Sequence, residues 1–443
     1  MAKSKEIIEI GLLGLGTVGQ GVVELLERNR PLIESRIGAP VRVVVALVRD
    51  MNKPRPDLPA GIELTDDPAR VLENPRVKMV VELMGGFEPA RGYILRAIHA
   101  GKHVVTANKA VMSRHWDEIF QAAHDRQVDV YLEAAVGGGI PCIQAINDGL
   151  AANRIENLLA ILNGTTNYIL TKMAEDGKSF KEALAEAQKK GYAEADPSYD
   201  LDGHDAAQKL AILASIAFDQ RICVEDIQVQ GIREISLRDI ADAREELGCE
   251  IKLLAVAKAH GDDGLELRVA PTLIPKDHPL ASVDDVYNAI FVNGDAVGNV
   301  MLYGRGAGKL PTASAVISDI IFIGRNLAAG VAGKVPSVAY DVNRVASRRV
   351  LRADEVQGRY FLRFVALDQP GVLATISGIL AEFGISISSV AQKERKKGDK
   401  VPVIISTYNA SEKSLMDALA AIERLPVIKD KTLVMRLEIP EED

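Results

Sequence analysis

Cysteine is scarce in this chain of 443 residues. The three cysteines, Cys142, Cys223 and Cys249, are odd in number, lie far apart and form no C-x-x-C pair. This pattern disfavours a disulfide framework and a cysteine metal site, and it is typical of a reducing compartment. We therefore expect a cytoplasmic protein.

Long apolar segments and positive charge are also in short supply. No apolar run approaches the roughly 20 residues that span a bilayer. The apolar N-terminal stretch is interrupted by Glu6 and Glu9, unlike a secretory signal. The 53 Lys and Arg residues stand against 61 Asp and Glu residues, a formal net charge of −8. Neither a membrane nor a nucleic acid is therefore an expected partner, and a small molecule is favoured.

The chain is long enough to bury several cores. Hydrophobic residues make up 47% and charged residues 26% of it, a balance typical of globular proteins. At roughly 150 residues per domain, we expect about three domains.

The first 140 residues alternate short apolar runs with segments whose apolar residues recur at helical spacing. This order predicts an α/β fold with a doubly wound parallel sheet. The predicted strands are 7–13, 41–48, 78–83, 103–106 and 128–132, and the predicted helices are 20–29, 88–100 and 114–125.

From residue 154 the pattern shifts to longer helices, such as 181–190 and 205–218, which indicates a second domain. Residues 331–358 mix glycine, proline and arginine without a sustained period and are interpreted as a linker. The tail, 359–443, alternates strand and helix patterns in βαββαβ order, which predicts a small domain of its own.

Gly14, Gly16 and Gly19 form the sequence G-L-G-T-V-G directly after the first predicted strand and before a helix. In a dinucleotide fingerprint the first glycine makes the tight turn, the second admits the pyrophosphate and the third lets helix and strand pack closely. The helix start, with Thr17 and Val18, supplies amide donors and the positive end of a dipole. In this context the motif is a moderately specific Rossmann signal for NAD or NADP.

The second predicted strand ends near Arg49 and Asp50, at the place that usually meets the adenine ribose. Asp50 would favour the 2′-hydroxyl of NAD, whereas Arg49, with Lys53 nearby, could pair with the 2′-phosphate of NADP. The coenzyme preference stays open, with a slight lean towards NADP being accepted. Lys53 is equally well interpreted as a solvated surface charge.

The densest group of polar residues lies at 191–209, where four aspartates and one glutamate surround the start of an apolar helix. Asp205 and Lys209 are four residues apart, so on a helix they share one face. An exposed ion pair worth a few tenths of a kcal/mol would explain the spacing. It would not explain the accumulated acids, which a substrate ammonium could neutralise. Spacing alone leaves both interpretations open, and His204 is interpreted as a surface histidine.

The chain resembles homoserine dehydrogenase over nearly its whole length, on motifs that occur in the family's order. The resemblance implies a reversible, NAD(P)H-dependent reduction of L-aspartate 4-semialdehyde to L-homoserine, in threonine, methionine and isoleucine biosynthesis. The motifs are G-L-G-T-V-G at 14–19, T-A-N-K-A at 106–110, E-A-A-V-G-G-G-I-P at 133–141, L-N-G-T-T-N-Y-I-L at 162–170, G-Y-A-E-A-D-P with D-L-D-G-H-D-A-A-Q-K between 191 and 209, and Y-G-R-G-A-G-K-L-P-T-A-S-A-V at 303–316.

The resemblance implies that Lys209 donates a proton to the carbonyl oxygen and that Asp205 and Glu194 hold the substrate. Lys109 would lie beside coenzyme and substrate, either helping the proton step or binding the substrate carboxylate. A positioned ammonium suits this chemistry, because an aldehyde becoming an alkoxide needs a proton or cation at its oxygen. The coenzyme contacts implied are Thr106, Lys109, Gly191, Gly306 and Gly308, and Gly191 is also implied as a substrate contact.

Four residues match the family's monovalent-cation site: Glu133, Val136, Gly138 and Ile140. That site holds Na⁺ or K⁺ largely through backbone carbonyls, which suit a hard ion and which a glycine-rich backbone can turn inward. Such an ion would be structural. A turn without an ion is the alternative.

The resemblance also implies a domain layout. The Rossmann-type domain 1–140 would be completed by 300–330, and 141–300 would be an inserted α+β domain for substrate binding and dimerisation, giving a homodimer or homotetramer. The tail, with F-V-A-L-D-Q-P-G-V-L-A at 364–374, is similar to the ferredoxin-like ACT module.

In that module the turn at 368–373 would bind a regulatory amino acid such as threonine. Deleting residues 359–443 should then abolish feedback and spare catalysis. A purely structural, dimerising tail is the alternative. Because no kinase-like segment precedes the first strand, we expect a monofunctional enzyme.

The sequence leaves two alternatives to a homoserine dehydrogenase open. A different amino-acid or semialdehyde dehydrogenase would not turn over homoserine and would not depend on Lys209. A redox-sensing regulatory protein would bind coenzyme and an amino acid without consuming the coenzyme.

Overall fold

The structure, a computed structural model, describes residues 6–261, 263–338, 348–392 and 400–438. Parts of the predicted linker (339–347) and of the predicted C-terminal domain (393–399 and 439–443) lie outside the described residues. The strands are β1 (Ile8–Leu13), β2 (Val41–Leu47), β3 (Glu63–Thr65), β4 (Val77–Glu82), β5 (His103–Thr106), β6 (Val130–Tyr131), β7 (Ile155–Ile161), β8 (Gln228–Val229), β9 (Cys249–Ala259), β10 (Leu265–Pro275), β11 (Tyr287–Gly294), β12 (Gly298–Arg305), β13 (Gln357–Leu367), β14 (Ile387–Gln392), β15 (Lys400–Thr407), β16 (Ala410–Ser411) and β17 (Leu433–Leu437).

The helices range from one turn to 21 residues. They are α1 (Thr17–Arg28), α2 (Arg30–Ile37), α3 (Ala69–Leu72), α4 (Ala90–His99), α5 (Lys109–Arg126), α6 (Cys142–Gln144), α7 (Gly164–Asp176), α8 (Phe180–Lys189), α9 (Ser198–Leu201), α10 (His204–Ala217), α11 (Leu237–Glu246), α12 (Lys309–Ala329), α13 (Val372–Glu382) and α14 (Glu412–Ile422). Shorter 3₁₀ turns lie at Glu133–Ala135, Val224–Asp226, Pro279–Ser282 and Ala353–Glu355, and a π-helical turn lies at Ala145–Gly149.

The chain divides into two compact units, of which the first contains residues 6–164, 205–227 and 286–338. Its main sheet has the order β3-β2-β1-β4-β5-β6, and all its strand pairs are parallel. The predicted doubly wound parallel sheet is therefore confirmed. Strands such as β1 are buried almost continuously, as expected when helices cover both faces. In the same unit β11 pairs antiparallel with β7 and β12.

Helix α12 packs against α1 in this unit. A methyl group on Gly21 of α1 would collide with the Lys309 carbonyl and the Ala313 side chain of α12. Against expectation, α12 meets the length and apolarity of a membrane span, but half of its most apolar part is buried. Val316 and Ile320 belong to one core cluster with Ile10 and Leu12 of β1, so α12 is a core helix.

The second unit contains residues 165–204, 228–285 and 348–438, less the gaps named above. In it β9 and β10 form an antiparallel pair, and β8 pairs parallel with β10. Strands β17, β13, β15 and β14 form an antiparallel array with α13 and α14, so the predicted βαββαβ order is confirmed.

The tail also joins the middle of the chain, because β17 pairs parallel with β10 at Thr272↔Arg436 and Leu273↔Leu437. Charged side chains cross this junction. The Arg436 guanidinium lies 3.0 Å from Glu266, and Arg268 pairs with Glu266 at 2.9 Å and with Glu438. We call the set Glu266, Arg268, Arg436 and Glu438 the ionic junction.

Candidate active site

Two lysines converge on one carboxylate in the first unit. Asp205 and Lys209 lie on α10, and Lys109 is the first residue of α5. The Lys209 ammonium lies 2.6 Å from Asp205 Oδ2, and the Lys109 ammonium lies 3.0 Å from Asp205 Oδ1. The structure therefore brings together all three predicted catalytic residues.

Burial and charge compete at Asp205, whose side chain is only 7% exposed. Burial alone would raise the pKa of Asp205, but Lys209 and Lys109 outweigh it and hold the pKa well below its usual range. The carboxylate thus stays ionised at neutral pH. The interpretation of Asp205 and Lys209 as an exposed ion pair is wrong, because the Lys209 side chain is also only 13% exposed.

Neighbouring backbone and amide groups hold this cluster, and the sequence reasoning missed them. Asn163 Nδ2 donates to Asp205 Oδ2 over 2.9 Å, and Lys209 Nζ donates to the Leu162 carbonyl over 2.7 Å. Both partners follow β7, within the motif L-N-G-T-T-N-Y-I-L. That motif was the available signal, but nothing in its spacing pointed to residues more than 40 positions away.

Local partners account for part of the acidic accumulation in 191–209. Asp202 pairs with Arg233 at 2.5 Å, a partner that the sequence reasoning missed, and Asp196 accepts the Ser198 amide at the start of α9. His204 is exposed, as predicted. The remaining predicted substrate residues, Gly191 and Glu194, lie in the second unit on the loop between α8 and α9.

The glycine loop has the shape of a dinucleotide cradle. Gly14 has φ +103°, in the region that favours glycine, and a methyl group on Gly19 would lie 2.5 Å from the Gly14 carbonyl oxygen. A methyl group on Gly16 would meet nothing within 4 Å, so open space lies where a pyrophosphate would approach. Gly16 also precedes Thr17 and Val18 without a side-chain cap, leaving amides of the first turn for an anion.

The late glycine loop lies against the predicted cation segment. A methyl group on Gly138, which has φ +57°, would collide with the Gly306 carbonyl, and Gly139 donates to the Arg305 carbonyl over 3.1 Å. Gly308 precedes the first turn of α12 without a side-chain cap. The backbone of segment 137–140 therefore packs directly against the backbone of loop 306–308.

The Glu133 carboxylate does not belong to a carbonyl cage. It accepts the amides of Ile143 and Gln144, at 2.9 and 2.8 Å. Burial raises the pKa of Glu133 to about 7 against the pull of these amides. Among the described residues, no three His, Cys, Asp or Glu side chains gather as a metal-ligand set. Two of the carbonyls in the predicted cation segment accept hydrogen bonds from Cys142: the Ile140 carbonyl accepts its amide over 2.8 Å, and the Val136 carbonyl accepts its Sγ–H over 3.6 Å.

The loop after β2 contains the predicted ribose-side residues. Arg49 and Lys53 are exposed, whereas Asp50 Oδ1 accepts the Asn52 amide over 2.9 Å. Arg55, which the sequence reasoning missed, donates to the carbonyls of Lys53 and Asp50 at 2.9 and 3.0 Å. The loop is thus tied by its own polar groups, with Arg49 on its solvent side.

The combination of a nucleotide cradle and an ammonium pair in one unit is typical of enzymes that transfer a hydride from a nicotinamide coenzyme and a proton from a side chain. With the parallel sheet, it places the protein among the NAD(P)-dependent oxidoreductases. Sequence profiles described as "Homoserine dehydrogenase, NAD binding domain", "Homoserine dehydrogenase" and "ACT domain" match residues 14–133, 141–321 and 360–427. The chain belongs to the homoserine dehydrogenase family.

Relatives match along the whole chain. Homoserine dehydrogenase of Pseudomonas aeruginosa is 44% identical over 433 residues, 97% of this chain and 99% of that protein. The Synechocystis sp. homoserine dehydrogenase is 45% identical over 441 residues, 97% of this chain and 99% of that protein. A solved homoserine dehydrogenase from Thiobacillus denitrificans has a TM-score of 0.93 at 46% identity and covers 98% of each chain. A hyperthermophilic archaeal homoserine dehydrogenase in complex with NADPH has a TM-score of 0.60 at 27% identity, covering 71% of this chain and 97% of that one.

Proposed function

We propose that this homoserine dehydrogenase reversibly reduces L-aspartate 4-semialdehyde to L-homoserine in the cytoplasm, in the synthesis of threonine, methionine and isoleucine. The observation that carries the proposal is the buried, ionised Asp205 held between the ammonium groups of Lys209 and Lys109. Its three cysteines are free, which supports a reducing compartment.

Lys209 is the proposed proton donor. Its ammonium has three N–H bonds, of which one goes to Asp205 and one to the Leu162 carbonyl. The third can point at a substrate oxygen, where it stabilises the developing alkoxide and then transfers a proton. The bound coenzyme supplies the hydride. Lys109, 35% exposed, is the proposed second cation for the substrate oxygen or carboxylate.

Glu194 is the proposed partner of the substrate ammonium. Asp205 and Gly191 are the other proposed substrate contacts. Asp205 Oδ2 already accepts Lys209 and Asn163, so Oδ1, which pairs with Lys109, is the oxygen that we assign to the substrate. Asp205 would then orient both lysines and the amino group of the substrate.

For the coenzyme we propose that both forms bind and that NADP is preferred. Arg49 is exposed, so its guanidinium can pair with the 2′-phosphate of NADP. A hyperthermophilic archaeal homoserine dehydrogenase was solved in complex with NADPH, which supports the proposal that this chain accepts NADP. The proposed coenzyme contacts are Gly14, Gly16, Thr17, Val18, Gly19, Arg49, Thr106, Lys109, Gly191, Gly306 and Gly308.

Three further parts belong to the proposal. A structural Na⁺ or K⁺ ion would be held by carbonyls of Glu133, Val136, Gly138 and Ile140. Threonine would bind at the turn before α13 and inhibit the enzyme. The chain would act as a homodimer or homotetramer, without nucleic-acid or membrane partners.

The test is to mix the purified chain with L-aspartate 4-semialdehyde and either NADPH or NADH, following coenzyme absorbance and identifying the product by chromatography. We expect homoserine with both coenzymes and the higher kcat/KM with NADPH. Arg49→Ala should remove that preference and leave the rate with NADH unchanged. Absence of homoserine would reject the proposed reaction.

A further inference from the structure

Glu82, the last residue of β4, is a fully buried carboxylate. It is not among the proposed catalytic, substrate, coenzyme or cation residues. Its Oε2 accepts the Thr106 hydroxyl over 2.7 Å and its Oε1 accepts the Met84 amide over 2.7 Å, with Asn108 Nδ2 further off at 3.5 Å. Burial raises the pKa of Glu82 against these neutral donors. A buried carboxylate is costly, so its hydrogen bonds must fix something that apolar packing would not.

Hydrogen bonds connect Glu82 to the start of α5, where Lys109 lies. The Thr106 hydroxyl, held by Glu82, accepts the Asn108 amide over 3.0 Å. Asn108 in turn caps α5, because its side-chain oxygen accepts the Val111 amide over 3.2 Å. Lys109 is the first residue of that helix, so the direction of its side chain depends on the cap.

A second hydrogen bond of Glu82 connects it to the segment that packs on the glycine loop. The Met84 amide that Glu82 accepts belongs to a segment packed on Gly14, where an added methyl group would lie 3.0 Å from the Leu83 carbonyl oxygen. Asn108 Nδ2 donates to the Gly86 carbonyl over 2.9 Å and closes the same segment. Glu82 thus connects the cradle for the coenzyme with the start of α5.

We propose that Glu82 is a positioning residue that sets Lys109 against the coenzyme through Thr106 and Asn108. This inference rests on the role given to Lys109 under the proposed function. It predicts that hydrogen-bonding capacity at position 82 matters to turnover, and that the effect vanishes when Lys109 is absent.

The experiment is a double-mutant cycle of Glu82→Met with Lys109→Ala, measured as kcat and as KM for each substrate. Glu82→Met alone should lower kcat about tenfold to hundredfold, the effect of a misplacement near 1 Å. In the Lys109→Ala background it should lower kcat by less than about twofold, because coupled residues are non-additive. Glu82→Gln, whose amide oxygen can accept Met84 and whose NH₂ can face Thr106, should restore most of the rate.

Asp129→Asn is the matched control. Asp129 is buried like Glu82, but it precedes the edge strand β6, and its amide donates to His103 Nδ1. This variant should lower the melting temperature and leave kcat the same, with or without Lys109. If Glu82→Met fails to fold, Thr106→Val takes its place in the cycle, with Thr106→Ser as the variant that keeps the hydroxyl.

The outcomes separate the two claims. An additive cycle with an active role for Lys109 would overturn the positioning role and leave the proposed function intact, as would a Glu82→Gln variant no better than Glu82→Met. A Lys109→Ala variant with normal kcat would overturn both the role of Lys109 and this inference.

Discussion

At the scale of single residues, the proposed chemistry depends on the direction in which the Lys209 ammonium points its third N–H bond. Lys209 is fixed by Asp205 and by the Leu162 carbonyl, and both bonds are shorter than 2.8 Å. Because two of its N–H bonds are fixed, the direction of the third is also fixed. The Lys209 ammonium is therefore already oriented when substrate binds. Asp205 also keeps the positive charge of Lys109 within the same cluster.

Lys209→Ala should lower kcat by about 10² to 10⁴, the usual contribution of a general acid. Coenzyme affinity should be retained, because the hydrogen bonds of Lys209 go to Asp205 and the Leu162 carbonyl, outside the glycine loop. Steady-state rates and a coenzyme fluorescence titration measure the two effects. Lys334→Ala, an exposed lysine outside the site, serves as the control. Normal turnover by Lys209→Ala would remove it as the proton donor.

Gly19→Ala should weaken coenzyme binding about tenfold or more. The added methyl group would lie 2.5 Å from the Gly14 carbonyl, so the cradle must shift at a cost of about 1–3 kcal/mol. The KM for coenzyme should rise, and the melting temperature should also fall, because the strain is in the folded state. Gly149→Ala, where a methyl group meets nothing within 4 Å, should bind normally. Equal affinity of both variants would contradict the assignment of the loop.

The sequence could predict the pair Asp205 and Lys209, because helical spacing fixes which residues share a face. It could not predict that the pair is buried, since burial depends on chain segments far away in sequence. The convergence of Lys109 came only from family resemblance. Asn163, Glu82 and Arg233 were missed because their roles arise from tertiary contacts that leave no periodic signal.

At the scale of elements, β10 and β17 turn the tail and the middle of the chain into one hydrogen-bonded array. Glu266 and Arg268 are buried on β10, facing Arg436 and Glu438 of the tail. Burial alone would raise the pKa of Glu266, but His260, Arg268 and Arg436 outweigh it and hold the pKa below its usual range. The ionic junction therefore stabilises the fold while its carboxylates are charged.

Arg436→Met should destabilise the second unit by about 3–5 kcal/mol near neutral pH, because it leaves buried carboxylates short of a cation. A carboxylate with a depressed folded pKa stabilises above its unfolded pKa, near 4.3, and loses that effect as the pH falls through the folded value. The difference from the parent chain should therefore shrink below about pH 4. Urea unfolding at several pH values measures it.

The matched control is Arg70→Met, which removes an exposed ion pair with Glu63 whose side chains are 61% and 43% exposed. Such a pair is worth at most about 1 kcal/mol. If both variants lost the same stability at every pH, the junction would be no more than a surface contact.

Among the elements, apolar periodicity and strand–helix order predicted the parallel sheet and the βαββαβ tail, with ends displaced by a few residues. The pairing of β17 with β10 was not predictable, because choosing a partner for a strand edge depends on tertiary packing. The apolarity of α12 was underestimated for a related reason. Lys309, Asp319 and Arg325 interrupt its pattern in the sequence, although one face of the helix is buried in a core.

At the scale of the whole molecule, regulation is best tested without removing the tail. Deleting residues 359–443 would strip β17 from β10 and leave Glu266 and Arg268 without Arg436 and Glu438. We instead expect Asp368→Ala, in the turn before α13, to abolish inhibition by threonine and keep the uninhibited rate. A threonine titration of the rate measures this. Unchanged inhibition would remove that turn as the effector site.

The central claim is that Lys209 donates a proton in a reaction between homoserine and a nicotinamide coenzyme. The most direct measurement is the initial rate of NADP or NAD reduction on adding L-homoserine, for the parent chain and Lys209→Ala side by side, with sodium or potassium present. We predict reduction by the parent chain and a loss of about 10² or more in the variant. No reduction by the parent chain, or equal rates for both proteins, would contradict the account.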